Sequence, residues 1–206
     1  MTGNIGILEY GCGNIRSVKN ALIEIGLENA KIIRTESDLE TINKLIFPGV
    51  GAFDSVCKNL EGKDLFRPLN KFICHPDNKV LGICLGMQVL CTDSQEGEKK
   101  GLGLVDASVK FIGKHNGIKV PHMGWNTVSF IREDPLLEGL GNEQDFYFVH
   151  SYCVIPNNQK ISLGVTDYGQ PFTSIFRNEN VWGVQFHPEK SQAPGLKILS
   201  NFLRHA

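Results

Sequence analysis

The stretch "KVLGICLGMQVL", Lys79 to Leu90, decides how this chain is read. Lys79–Cys84 is an unbroken apolar run of strand length, as expected of a strand covered on both faces. The residues after it read as a helix. Gly82-Ile83-Cys84-Leu85-Gly86 therefore has the form Gly-x-nucleophile-x-Gly at a strand-to-helix corner. A side chain there projects from the C-terminal edge of the sheet, and flanking glycines let the backbone turn without a Cβ clash. The start of the helix favours a thiolate through its dipole and free N–H groups. The N–H of Leu85 would face an oxyanion formed on an attacked carbonyl. The motif alone is equally compatible with an inert, buried cysteine on a glycine-rich turn.

Strand and helix signals alternate on both sides of the corner. Upstream, "NIGILEY", Ala30–Thr35 and Lys44–Val50 read as strands. Ser17–Ile25, Ala52–Leu60 and Asp64–Cys74 read as helices, the first with Asn14 as its N-cap. Such alternation implies a parallel sheet with right-handed crossovers. Beyond Gly97 the segments become short, β-branched or aromatic, as in "FYFVHSYCVI" and "VWGVQFHPE", which predicts hairpin-like, partly antiparallel strands. Leu196–Leu203 reads as a closing helix. With no linker, repeat or low-complexity segment, the expectation is one α/β domain over residues 1–206.

Composition narrows the function. A hydrophobic fraction of 41% supplies a sizeable core, and a net charge of −1 argues against a nucleic-acid partner. No apolar run approaches the roughly 18 residues of a membrane span. The N-terminal "MTGNIGILEYGCGN" lacks signal-peptide features, so the expected location is the cytoplasm. The six cysteines (Cys12, Cys57, Cys74, Cys84, Cys91 and Cys153) form no CxxC pair. They are expected to be free thiols, without a metal or other cofactor.

A nucleophilic Cys84 needs a base. His75, His115 and His205 lie in polar contexts, whereas His122 and His150 belong to strand patterns and read as structural. His187 ends an apolar strand, and Pro188 biases it toward extended geometry. Alternation along an extended chain would put Glu189 on the same side, where a carboxylate can hold the imidazole tautomer. A second oxyanion donor could come from "FPGVGAFD", through the peptides around Gly49 and Gly51, although a glycine pair is weak evidence.

"PGVGAFD", "GICLGMQ" and "QFHPEKS", in this order and spacing, resemble the class I glutamine amidotransferases. "EYGCGNIRSVKNAL", "EGEKKGLGL", "KVPHMGWN" and "FYFVHSY" are similar, within that family, to the glutaminase subunits of imidazole glycerol phosphate synthase. The resemblance covers nearly the whole chain. It implies a twisted, mostly parallel sheet flanked by helices, with a smaller β-rich element in the C-terminal half. The implied activity is glutamine hydrolysis through a thioester, with Cys84, His187 and Glu189 as the triad and Val50, Gly51 and Leu85 around the oxyanion. Gly49, Gln88, Glu96, Ser151 and Tyr152 would bind the substrate, and Asn14, Trp125 and Lys190 would face a (β/α)8-barrel cyclase partner. The family pattern is broken at Glu9, where Asp is usual, close to Cys12.

Without that resemblance, Gln88 would be a helix-surface amide, Glu96 one charge in a solvated run, and Trp125 as readily a core aromatic as an interface anchor. Paralogous subunits serving sugar amidination carry nearly the same motifs. A stand-alone cysteine hydrolase would leave "PHMGWN" unexplained. A non-catalytic module is disfavoured by the intact Cys84, His187 and Glu189.

Overall fold

Strand β4 (Lys79–Cys84) lies at the centre of a sheet, paired in parallel with β3 (Lys44–Gly49) on one side and β12 (Val181–Val184) on the other. Five of its six residues are buried, which is why the sequence shows a continuous apolar run rather than an alternating one. The structure is a computed structural model and describes residues 4–113 and 118–205. His115 lies outside them.

The parallel half is completed by β1 (Ile5–Leu8) and β2 (Lys31–Ile33), in the order β2-β1-β3-β4-β12. Alternate residues of these strands feed two cores. Leu45, Phe47 and Val80 pack on one face with Phe53, Val56 and Leu60 of α3 (Phe53–Gly62) and Leu69 and Phe72 of α4 (Phe66–Ile73). Ile46, Leu81 and Ile83 pack on the other face with Val18 and Leu22 of α1 (Ile15–Glu24) and Ile198 and Phe202 of α6 (Gln192–His205).

The strands of the C-terminal half are β6 (Val105–Phe111), β7 (His122–Phe130), β8 (Glu143–His150), β9 (Tyr152–Pro156), β10 (Ser162–Asp167) and β11 (Pro171–Asn178). Their mutual pairings are antiparallel. The β-rich element is not set apart: through β11 and β12 it continues the parallel sheet, giving twelve strands among the described residues.

The sequence reading misses two short elements, α2 (Glu36–Leu39) and β5 (Cys91–Ser94). The first is made by a capping box. Thr35 Oγ1 accepts from the Asp38 N–H while the Asp38 carboxylate accepts from the Thr35 N–H, a pattern hidden in what reads as a strand end. Asn14 does stand at the N-cap of α1, but its side chain makes no capping hydrogen bond.

The glycines of the corner avoid Cβ clashes, as expected, but not by adopting a positive φ. The left-handed residue is Cys84 itself, at φ 53°, while Gly82 and Gly86 carry no positive φ. A Cβ on Gly86 would lie 1.8 Å from the Phe47 carbonyl oxygen, and one on Gly82 2.8 Å from Met87 Cα. They let helix α5 (Leu85–Val89) press against β3 and β4.

Candidate active site

Cys84 is the junction between β4 and α5, buried to 6% exposure, with ψ at −110°. A non-glycine residue in such a conformation persists only where its surroundings hold it. Here two contacts hold the sulfur. Sγ donates to the Val149 carbonyl at 3.8 Å, and Gln185 Nε2 donates to Sγ at 3.7 Å.

His187 follows β12. Its N–H is anchored on the Tyr147 carbonyl at 2.9 Å, and its own carbonyl accepts from Ser191 Oγ at 2.7 Å. Nδ1 meets Glu189 Oε1 at 2.9 Å, with both side chains almost wholly buried. Nε2 is buried with no conventional hydrogen bond of its own among the described residues. Burial alone would lower the proton affinity of the ring. Cys84 and Glu189 outweigh it and raise the imidazolium pKa to about 10.

The route by which Glu189 reaches the ring corrects the sequence argument. Pro188–Lys190 is a 3-10 turn, not extended chain, and the carboxylate folds back onto the histidine that caps that turn. Pro188 does leave His187 itself extended, at φ −99° and ψ 95°, and then starts the turn.

A cavity of about 290 Å³ opens in front of these groups. Val50, Gly51, Cys84, Leu85, Gln88, Glu96, Ser151, Tyr152 and His187 all line it, drawn from both halves of the sheet. Gly49 lies behind the wall, where a Cβ would come within 2.4 Å of the Gly86 nitrogen. Gln88 is no surface amide: it is 3% exposed and donates to the Tyr152 carbonyl at 2.9 Å and to Gln185 Oε1 at 3.0 Å.

Glu96 is likewise not part of a solvated run. Its Oε2 accepts from the Phe53 N–H at 2.9 Å, so it is held at the start of α3. Its pKa is raised, first by burial and then by nearby Asp54, against the lowering effect of the Phe53 N–H. Asp54 in turn accepts from the Glu98 and Lys99 N–H groups, pinning the loop.

Trp125 is half exposed, which decides against a core role, and it meets the Tyr147 ring edge-on at 6.2 Å. Lys190 Nζ lies 5.8 Å over the same ring. Met123, on the same face of β7, is 62% exposed, and Val50 at the cavity mouth is 39% exposed. Glu9 is held in an ion pair with Arg34, and Cys12 Sγ accepts from Asn59 Nδ2 at 3.1 Å. Sequence reasoning gives no role to Gln185, Tyr147 or Val149. The available signal is position within the "QFHPEKS" and "FYFVHSY" blocks, since their partners come from distant strands.

Residues 7–206 match the family described as Glutamine amidotransferase class-I, and the fold agrees with it. The chain superposes on a crystal structure of glutamine amidotransferase with TM-score 0.72 and 22% identity, covering 97% of this chain and 99% of that one. For the structure of PurLQS from Thermotoga maritima the TM-score is 0.74 at 17% identity, with coverage of 100% and 99%.

Sequence relatives narrow the class. The imidazole glycerol phosphate synthase subunit HisH of Desulfitobacterium hafniense is 48% identical over 96% of this chain and 92% of its own length. The HisH subunit of Aquifex aeolicus is 42% identical, covering 97% and 96%, and HisH 2 of Methanococcus maripaludis 44%, covering 98% and 100%. The chain belongs to the class I glutamine amidotransferases and, within them, to the HisH subunits of imidazole glycerol phosphate synthase.

Proposed function

We propose that this chain hydrolyses glutamine with Cys84 as nucleophile, His187 as proton carrier and Glu189 as the group orienting His187. The observation that carries this reading is the His187 ring. Nδ1 is committed to Glu189, which leaves Nε2 as the nitrogen available to Cys84 beside the cavity. Sγ attacks the side-chain amide carbon of glutamine, and its proton passes through Nε2 to the departing ammonia. Water then gives a proton to Nε2 and attacks the thioester; glutamate leaves, and the proton returns to sulfur.

The N–H of Leu85 and the Val50–Gly51 peptide stabilise the oxyanion. Gly51, at φ 109°, has no heavy atom within 4 Å of where a Cβ would stand, so this peptide has room to turn. Gln88, Glu96, Ser151 and Tyr152 hold the substrate, with Glu96 suited to its α-ammonium and Gly49 supporting the wall from behind.

Ammonia is mostly protonated near neutral pH, so release is useful only beside an acceptor. A (β/α)8-barrel cyclase partner supplies the acceptor site for imidazole glycerol phosphate synthesis, docking on the face that carries Asn14, Trp125 and Lys190. The exposed Met123 and Trp125 support this assignment. We assign residues 1–206 to one glutaminase domain acting in the cytoplasm with no cofactor, nucleic acid or membrane. Among the described residues no helix is long and apolar enough to cross a membrane.

The test is glutamate release from glutamine by the chain alone and with its host's cyclase and nucleotide ligand, with Cys84→Ala as blank. Stimulation by the partner, lost in the variant, is the expected result. High turnover that needs no partner would mean a free hydrolase. Slow Cys84-dependent turnover that this cyclase never stimulates would move the acceptor to another barrel partner.

A further inference from the structure

His150 forms part of the cavity wall, yet it is not a second base. It faces His122 across the β7–β8 register, and His122 Nδ1 lies 2.9 Å from His150 Nε2. Each end of this buried pair is fixed by a group of settled polarity. His150 Nδ1 is 2.8 Å from the Tyr152 carbonyl, which only accepts, so Nδ1 carries the proton. At the other end, Asn126 Nδ2 is 3.2 Å from His122 Nε2.

The orientation of the Asn126 amide is fixed independently. Its Oδ1 accepts from the Thr127 N–H at 2.8 Å, and its Nδ2 donates to the Asp167 carbonyl at 3.0 Å. Asn126 is therefore the donor and His122 Nε2 the bare acceptor. Both ends demand the same arrangement: two neutral rings, each protonated on Nδ1. An added proton would set two donors against each other. Burial, the first cause in both rings, already lowers His122 to about 4 and His150 to about 3.

The path continues beyond Tyr152. The carbonyl that accepts from His150 also accepts from Gln88 Nε2, whose other hydrogen goes to Gln185 Oε1. Gln185 Nε2 then reaches Cys84 Sγ. Both amide hydrogens of Gln88 are used inside the protein, so Oε1 is the atom it presents to the cavity.

We propose that His150, held in one tautomer by His122, is a positioning residue that fixes the Tyr152 carbonyl and thereby keeps Gln88 Oε1 facing the cavity as an acceptor. The site so built takes a substrate group that donates hydrogen bonds, an ammonium or a primary amide, and disfavours a carboxylate. This deepens the glutaminase reading above and rests on it.

Two measurements test it. In the unmodified protein, imidazole 15N shifts report the tautomers directly. Both rings are expected to be neutral and Nδ1-protonated from about pH 5.5 to about 8, and an Nε2–H or charged ring at either position overturns the relay. In the complex with the cyclase, His150→Phe keeps an aromatic ring but loses the donor to Tyr152. His150→Asn retains a donor near the Nδ1 position. Loss of a buried hydrogen bond predicts a glutamine KM about tenfold higher in His150→Phe, with kcat changed less than about threefold, and KM within about threefold of wild type in His150→Asn. A folded His150→Phe with wild-type KM, or an equal rise in both variants, overturns the positioning role. A wild-type complex without glutamine turnover would instead overturn the glutaminase reading, and this one with it.

Discussion

Glu189 Oε1 holds His187 Nδ1 at 2.9 Å while its second oxygen, Oε2, is buried without a hydrogen-bond partner among the described residues. A carboxylate kept in that state has few ways to be compensated other than a positive charge on the imidazole. Cost at Glu189 and charge at His187 are thus one relationship, and it makes the pair sensitive to the loss of either member.

Glu189→Gln removes the charge while keeping the shape. An amide can present a donor where Nδ1–H needs an acceptor, so the ring loses both its tautomer and its charge stabilisation. We expect kcat/KM for glutamine hydrolysis to fall by about two to four orders of magnitude with the fold retained. Circular dichroism beside glutamate release would check this; a variant within a few-fold of wild type would remove Glu189 from the mechanism.

The raised His187 pKa has a pH signature. Its folded value is about 10, against roughly 6.5 in an unfolded chain. The stabilisation is therefore fully present below about pH 6.5 and is lost as pH rises through about 10. Because Cys84 contributes to the upward shift, Cys84→Ala should titrate His187 at lower pH, and its thermal midpoint should begin to decline earlier. Identical His187 titrations in the two proteins would exclude that coupling.

The left-handed backbone at Cys84 separates function from stability. Cys84→Gly and Cys84→Ala should both be inactive. Glycine relieves the φ of 53° where alanine does not, so Cys84→Gly should be the more stable of the two by about 1 kcal/mol. Urea unfolding of both variants reads the difference directly.

Gly86→Ala attacks the corner from outside the chemistry. Its Cβ would stand 1.8 Å from the Phe47 carbonyl oxygen, a backbone atom with nowhere to move inside β3. A loss of about 3 kcal/mol or more, or failure to fold, is expected, since overpacking against main chain is costlier than against a flexible side chain. Near-native stability would mean that α5 is free to lift off the sheet.

Trp125→Ala tests the docking face. The side chain is half exposed and touches Tyr147 at its edge, so stability should change by less than about 0.5 kcal/mol. If Trp125 anchors the cyclase, affinity for it should weaken by about 2 kcal/mol, roughly thirtyfold. Calorimetric titration with the cyclase decides it, and an unchanged affinity would move the interface elsewhere.

Much of this architecture is legible along the chain. The apolar run Lys79–Cys84 and its helix are correct to the residue at the corner, because a strand buried on both faces leaves a signal that needs no neighbours to be read. The quoted motifs contain every residue that lines the cavity, although the sequence reading gives no site role to Pro121, Val149 and His150. Local cues fail where a short-range device competes with periodicity. The Thr35–Asp38 capping box and the turn begun by Pro188 are both of this kind.

By itself, the sequence determined the strand–helix corner, the identity of its thiol and the family to which the chain belongs, since each resides in contiguous residues whose spacing is set by covalent geometry. Tertiary structure alone decided which atoms meet. His122 finds His150 and Trp125 finds Tyr147 because β7 and β8 pair in a particular register, and Gln88 on α5 finds Gln185 because β4 and β12 lie side by side. A one-residue slip between β7 and β8 would turn the strand side chains to the opposite face, which is why no local pattern could state their partners.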